Sequence, residues 1–111
     1  MAGKEELQTL IDAWVGKKGY LLPHRIVSDA AESIGTNSRA LYSFFKDQGK
    51  DFRSWRTSLR MEEAKKIILQ EPQEPFSHIA RRTGYMDRSN FTNAFKACTG
   101  TTPSGWKKKN S

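Results

Sequence analysis

A chain of 111 residues, 36% hydrophobic and carrying 19 Lys+Arg against 12 Asp+Glu, has room for one domain or two very small subdomains and a net charge of +7. Its single cysteine, Cys98, rules out an internal disulfide and fits a reducing, cytoplasmic compartment; no apolar run approaches the ~18 residues of a membrane span, and no signal-peptide pattern is seen. The charge is uneven: residues 1–35 carry a net −1 and residues 36–111 a net +8, which points to a polyanionic partner for the second, larger part.

The first predicted helix runs from Lys4 to Val15, because Leu7, Leu10, Ile11, Trp14 and Val15 recur at helical spacing. Gly16 or Gly19 ends it, and Tyr20-Leu21-Leu22-Pro23 is a connector whose apolar residues are expected on the core. A second helix is expected from about His24 to Ile34, burying Val27, Ala30, Ala31 and Ile34, with Gly35 as its breaker. Asn37 then caps a third helix from Ser38 to about Gln48, with Leu41, Phe44 and Phe45 inward and Ser38, Arg39, Tyr42 and Ser43 outward. The longest helix is expected from about Phe52 to Gln70, with Asp51 as a possible cap and Phe52, Trp55, Leu59, Ala64, Ile67 and Ile68 as its apolar positions. At 1.5 Å per residue it spans roughly 28 Å. Glu71-Pro72-Gln73-Glu74-Pro75 stops it.

A short helix from about Ser77 to Thr83 follows, with Gly84 at the turn beyond it. Asp87 caps the next helix, to about Ala97, whose Phe91, Ala94 and Phe95 face inward while Arg88, Ser89, Asn90, Thr92 and Asn93 stay outside. Thr102 caps a terminal helical turn with Pro103 at its first position and Trp106 inward. No run alternates with period 2, so no strand is expected.

The chain repeats itself. Ala31, Gly35, Leu41, Phe45-Lys46 and Gly49 return as Ala80, Gly84, Phe91, Phe95-Lys96 and Gly100, at an offset that grows from 49 to 51 residues. Each copy is helix, glycine turn, helix, the grammar of a helix-turn-helix unit. The division expected from this is 1–50 for the first unit, 51–71 for a linker helix and 72–111 for the second unit. The fold class is all-α, two helix-turn-helix subdomains joined by a long linker helix, about seven helices in all.

The motifs Ile79-Ala80, Gly84-Tyr85, Asp87, Phe91, Phe95-Lys96, Gly100 and Thr102-Pro103-Ser104, together with Gly49 to Trp55, Leu59-Arg60 and Ala64, resemble the DNA-binding domain of the AraC/XylS family of bacterial transcriptional regulators. The resemblance runs from about Glu5 to Lys109. It implies sequence-specific binding of double-stranded promoter or operator DNA, transcription regulation, and base contacts by Arg39, Tyr42 and Ser43 in the first unit and Arg88, Ser89, Asn90 and Asn93 in the second. Trp106 stands where many members have Tyr, and Lys107 where many have Arg, which weakens a bidentate role there. Most members carry a separate N-terminal sensing domain and act with RNA polymerase. A few members stand alone, so this chain reads as an excised C-terminal domain, the favoured reading, or as a stand-alone protein.

By chemistry, Arg39 and Arg88 suit guanine O6 and N7, and Asn90 or Asn93 suits adenine N6 and N7. Tyr42 suits a thymine methyl or a phosphate. Ser38, Lys46, Arg53, Arg56, Thr92, Lys96 and Lys107 to Lys109 are expected to position phosphates. Arg60 is expected to be structural, paired with a carboxylate. Cys98 is read as a small residue packed at the end of the helical core, not a reactive thiol. His24 and His78 have no carboxylate at metal-ligand spacing, and no phosphate loop or nucleophile motif is present, so neither an enzyme nor a cofactor is expected. Nonspecific nucleic-acid binding and a helical protein-interaction module are the competing readings; the polar character of residues 88–93 argues against the latter.

Overall fold

The computed structural model describes residues 3–24 and 26–111. Among the described residues seven α-helices follow one another: α1 Lys4–Gly16, α2 Val27–Ile34, α3 Ser38–Lys46, α4 Phe52–Gln70, α5 Phe76–Arg82, α6 Arg88–Thr99 and α7 Pro103–Asn110, with a short 3-10 turn at Gly19–Leu21 after α1. Among the described residues no strand is present. The chain forms two compact units, Met1–Arg56 and Thr57–Ser111, so the division falls inside α4.

In the first unit α1 packs on α2 and α2 on α3. Leu7, Ile11 and Trp14 of α1 meet Val27, Ala30, Ala31 and Ile34 of α2 and Leu41, Phe44 and Phe45 of α3 in one buried set. Phe52, fully buried, closes it: its ring centroid lies 5.6 Å from Phe45 and 6.1 Å from Trp14. Trp55 lies half-buried at the edge, stacked 6.3 Å from Trp14 and 4.9 Å from Phe45. The chain leaves α1 close under Trp14. A Cβ on Gly19 would fall 2.2 Å from the indole Nε1, so only glycine fits there. Of the connector, Tyr20 is buried as expected, but Leu22 is exposed. The second helix starts later than its pattern suggested, at Val27, with Ile26 at the N-cap; Arg25 lies outside the described residues.

The second unit has its own core of Met61, Ala64, Ile67 and Ile68 from α4, Ile79 and Ala80 from α5, and Phe91 and Phe95 from α6, against which Phe76, Tyr85, Ala94 and Trp106 pack. Trp106 meets Phe95 edge-on at 5.9 Å. The terminal turn is a full helix of eight residues, α7, capped by Thr102, whose hydroxyl accepts from Gly105 N at 3.1 Å. Thr83 is a buried polar residue that periodicity gave no reason to notice. Its hydroxyl donates to the carbonyls of Ile79 and Ala80 at 2.8 and 3.1 Å, so its burial leaves no donor unmade.

The buried face of α4 is wider than its apolar pattern. Its buried residues are Phe52, Arg56, Arg60, Met61, Ala64, Ile67 and Ile68, while Trp55 and Leu59 are only half-buried. The i, i+4 row Phe52, Arg56, Arg60, Ala64, Ile68 is the axis of the buried face, and two arginines lie on it.

Candidate nucleic-acid interface

The two recognition helices are built by the same local device. At Gly35 and Gly84 the backbone turns left-handed, with φ of +105° and +95°. The amide of the residue after each glycine bonds back to the alanine of the preceding helix, Thr36 N to Ala31 O and Tyr85 N to Ala80 O, each at 2.9 Å. This closes the last turn of α2 and of α5 against the start of the next helix. Both alanines are fully buried. The next helix then starts on a capping side chain. Asn37 Oδ1 accepts from Ala40 N at 2.9 Å and Asp87 Oδ1 accepts from Asn90 N at 2.8 Å. Leu41 and Phe45 in α3, and Phe91 and Phe95 in α6, bury the inner face of each helix, which leaves the opposite stripe to solvent.

On α3 that stripe is Arg39, Tyr42, Ser43 and Lys46, all exposed, with Tyr42 at 45% and Ser38 half-buried at the helix start. On α6 it is Ser89, Asn90, Asn93 and Lys96, all exposed, beside a half-buried Thr92. The first unit therefore brings Arg39, Tyr42 and Ser43 onto one face of α3, and the second brings Ser89, Asn90 and Asn93 onto one face of α6; Arg88, exposed at the first position of α6, lies outside that stripe. The Asn90 amide donates to Asp87 Oδ2 at 3.3 Å, which orients it at the helix start. Because the caps Asn37 and Asp87 correspond, Arg88 occupies the place of Ser38 at the first helical position, and Ser89 the place of Arg39. A groove of about 550 Å³ opens beside α3, with Arg39 and Ser43 on one wall and Leu7 and Phe44 lining it.

Among the phosphate candidates, Arg53, Lys108 and Lys109 are exposed. Arg56 is not available. It is 8% exposed, its Nη1 donates to the His24 carbonyl at 3.0 Å, and its guanidinium lies 5.4 Å from the Phe52 ring centroid. A guanidinium spent on a carbonyl inside the first unit ties the approach to α2 onto α4. Lys107 is half-buried and donates to the Pro72 carbonyl, which holds its ammonium in place with further donors left over. Arg60 is structural, as expected, but its role lies at the turn. The guanidinium sits 5.2 Å from the Tyr85 ring centroid, directly over Gly84. Burial lowers its pKa, and Tyr85, facing it, opposes that shift. Cys98 is exposed, not packed in the core: it continues the i, i+4, i+7 row of Phe91 and Phe95 but lies in the last turn of α6, past the last buried residue of that helix.

The segment before α5 is pinned by ions that helical periodicity does not reveal. Arg82 donates to Glu71 Oε1 and Oε2 at 3.0 and 2.9 Å and to Glu74 Oε2 at 2.9 Å. His78 Nδ1 lies 3.0 Å from Glu74 Oε1. The Arg82 hydrogen bond holds the Glu71 carboxyl below its ordinary range, and Glu71 in turn raises Arg82. Among the described residues no three His, Cys, Asp or Glu side chains gather into a metal-holding group, and no helix is long and apolar enough to cross a membrane.

Residues 30–109 match the helix-turn-helix domain family. The arabinose operon regulatory protein of Salmonella typhimurium is 30% identical over 82 residues, which is 73% of this chain and 29% of that protein. The chain thus spans under a third of the length of this relative. The C-terminal domain of the two-component response regulator yesN from Fusobacterium nucleatum superimposes with a TM-score of 0.74 at 27% identity, covering 94% of this chain and 96% of that one. The C-terminal domain of AraT, a response regulator from Geobacillus stearothermophilus, shares the fold with a TM-score of 0.79 at 24% identity, covering 93% and 84%.

Proposed function

We propose how this chain, which belongs to the AraC-type helix-turn-helix family of DNA-binding transcription-regulator domains, reads its target: α3 and α6 each enter a major-groove segment of one duplex. The observation that carries this is the doubled device, one glycine turn, one capped helix and one exposed polar stripe per unit. Arg39 donates to guanine O6 and N7, Tyr42 meets a thymine methyl and Ser43 hydrogen-bonds a base edge; Asn90 or Asn93 pairs with adenine, flanked by Ser89. Ser38, Lys46, Arg53, Thr92, Lys96, Lys108 and Lys109 hold phosphates and set the register.

The two stripes differ in chemistry, so the site is asymmetric: two unlike boxes, about 10 base pairs apart, bound by a single chain. The domain works in the cytoplasm of a bacterium, as part of a longer protein with an N-terminal sensing domain, and delivers its signal to RNA polymerase. Footprinting tests the geometry. Sequences selected from a random duplex pool should show two protected boxes, and lengthening the spacer by 5 base pairs should abolish protection of one. Unchanged protection of both boxes would falsify the two-groove reading, while a pool that yields no preferred sequence would remove base reading altogether.

A further inference from the structure

The geometry points to a two-cation clamp for one backbone phosphate, built by Arg88 and Lys107 around the Phe76 ring; it rests on the duplex reading above. Three helices converge there: Phe76 opens α5, Arg88 opens α6 and Lys107 lies in α7. The Arg88 guanidinium carbon is 5.7 Å from the Phe76 ring centroid and Lys107 Nζ is 6.0 Å from it. An aromatic face attracts either cation, but two cations beside one ring repel each other. Among the described residues neither forms an ion pair with a carboxylate. Glu71 and Glu74, near Phe76 in sequence, are engaged by Arg82 and His78. The Pro72 carbonyl holds Lys107 in place, so its charge is preset and not a floppy surface ammonium.

A site with two cations, one of them held in place, and no carboxylate partner lacks a negative group, and the group at hand for a helix laid in a groove is the flanking phosphate. The register of the two units agrees. Arg88 aligns with Ser38 at the first helical position, one residue ahead of the stripe that begins at Ser89. There a guanidinium meets the groove wall, with the first-turn amides of α6 adding their partial charge. Arg88, which the family resemblance and its residue type assign to a base, is therefore a phosphate ligand.

The test measures dissociation constants of the whole chain across a salt series, for the duplex selected from a random pool and for a random-sequence duplex. Arg88→Gln and Lys107→Gln should each weaken both duplexes alike, by roughly tenfold, and leave their ratio unchanged. Because the two cations share one phosphate, the double variant should flatten the slope of log K against log salt by about 0.9, not twice that. Lys107→Arg should keep the wild-type slope, and Phe76→Leu, which keeps apolar bulk against the core, should weaken both duplexes at a temperature where its melting curve shows the chain fully folded. Loss of preference at one base pair in Arg88→Gln, with random-duplex affinity intact, would make Arg88 a base reader and overturn the clamp. Wild-type binding with an unaltered slope in the double variant overturns the clamp alone. A wild-type chain that binds neither duplex overturns the duplex reading along with it.

Discussion

The two helix-turn-helix units are the same backbone with different supports. Both turn at a left-handed glycine, both bond back to a fully buried alanine, and both start the next helix on an oxygen that accepts from the third residue on. What stands over the turn differs. Above Gly35 is the side chain of Leu10, at an ordinary 3.7 Å from where a Cβ would sit; above Gly84 is the Arg60 guanidinium at 2.8 Å. The residue before the glycine also differs, Ile34 in the first unit and Thr83, bonded to its own helix, in the second. The repeat thus conserves what a turn requires of the backbone and leaves free what covers it.

The largest expected break in that equivalence comes from the core slot shared by Leu41 and Phe91, each fully buried. Phe91→Ala should cost about 3–5 kcal/mol and Leu41→Ala about 2–5 kcal/mol. Amide hydrogen exchange should place the lost protection within the unit that carries each change. Loss spread evenly over both units would mean they do not fold as separate cores.

The glycines sharpen the comparison next. Gly35→Ala should cost about 1–2 kcal/mol, the strain of a left-handed L-residue. Gly84→Ala should cost about 2–3 kcal/mol, because the Arg60 guanidinium must also move. Urea unfolding of the two variants reads the difference; equal losses would show that Arg60 yields freely.

At the DNA surface, Arg39→Ala should cost about 1–3 kcal/mol on the selected duplex and relax preference in one box only. Selection repeated with the variant checks this, and altered preference in both boxes would contradict separate reading by the two helices.

The caps should behave as a matched pair. Asn37→Ala and Asp87→Ala should each cost about 1 kcal/mol, seen as equal shifts in thermal unfolding of their units.

The smallest effect belongs to the Glu71–Arg82 fork in front of α5. Glu71 has its pKa lowered in the folded chain, so the fork's contribution is full above the ordinary glutamate range and is lost as pH falls through the lower folded value. Arg82→Gln should therefore melt below wild type at neutral pH and converge with it in acid. High salt should shrink the neutral-pH gap, since both partners are exposed; a gap that persists in acid would assign Arg82 another role.

Local rules made most of this legible in the sequence. Periodicity placed the helices, and Asn37, Asp51, Asp87 and Thr102 announced their starts through hydrogen bonds that span three residues. The glycine turns and the outward stripes follow from the same short-range geometry, which is why the candidate DNA face could be drawn before any packing was known. Helix ends moved where an end depends on neighbours, as with α2 and with α7.

Tertiary structure decided the fate of the cations. A sequence pattern treats arginine and lysine as outward, because burying a charge is costly unless something receives it. Whether something does depends on chain that is distant in sequence: the His24 carbonyl for Arg56, the Tyr85 ring for Arg60, the Pro72 carbonyl for Lys107. The fourfold spacing from Phe52 through Arg56 and Arg60 to Ala64 was a signal that these positions face inward, but only the packed helices supply the partners that let a charge remain there. The exposure of Cys98 has the same origin: it shares the row of Phe91 and Phe95, and only the packed helices show that the core stops short of the last turn of α6.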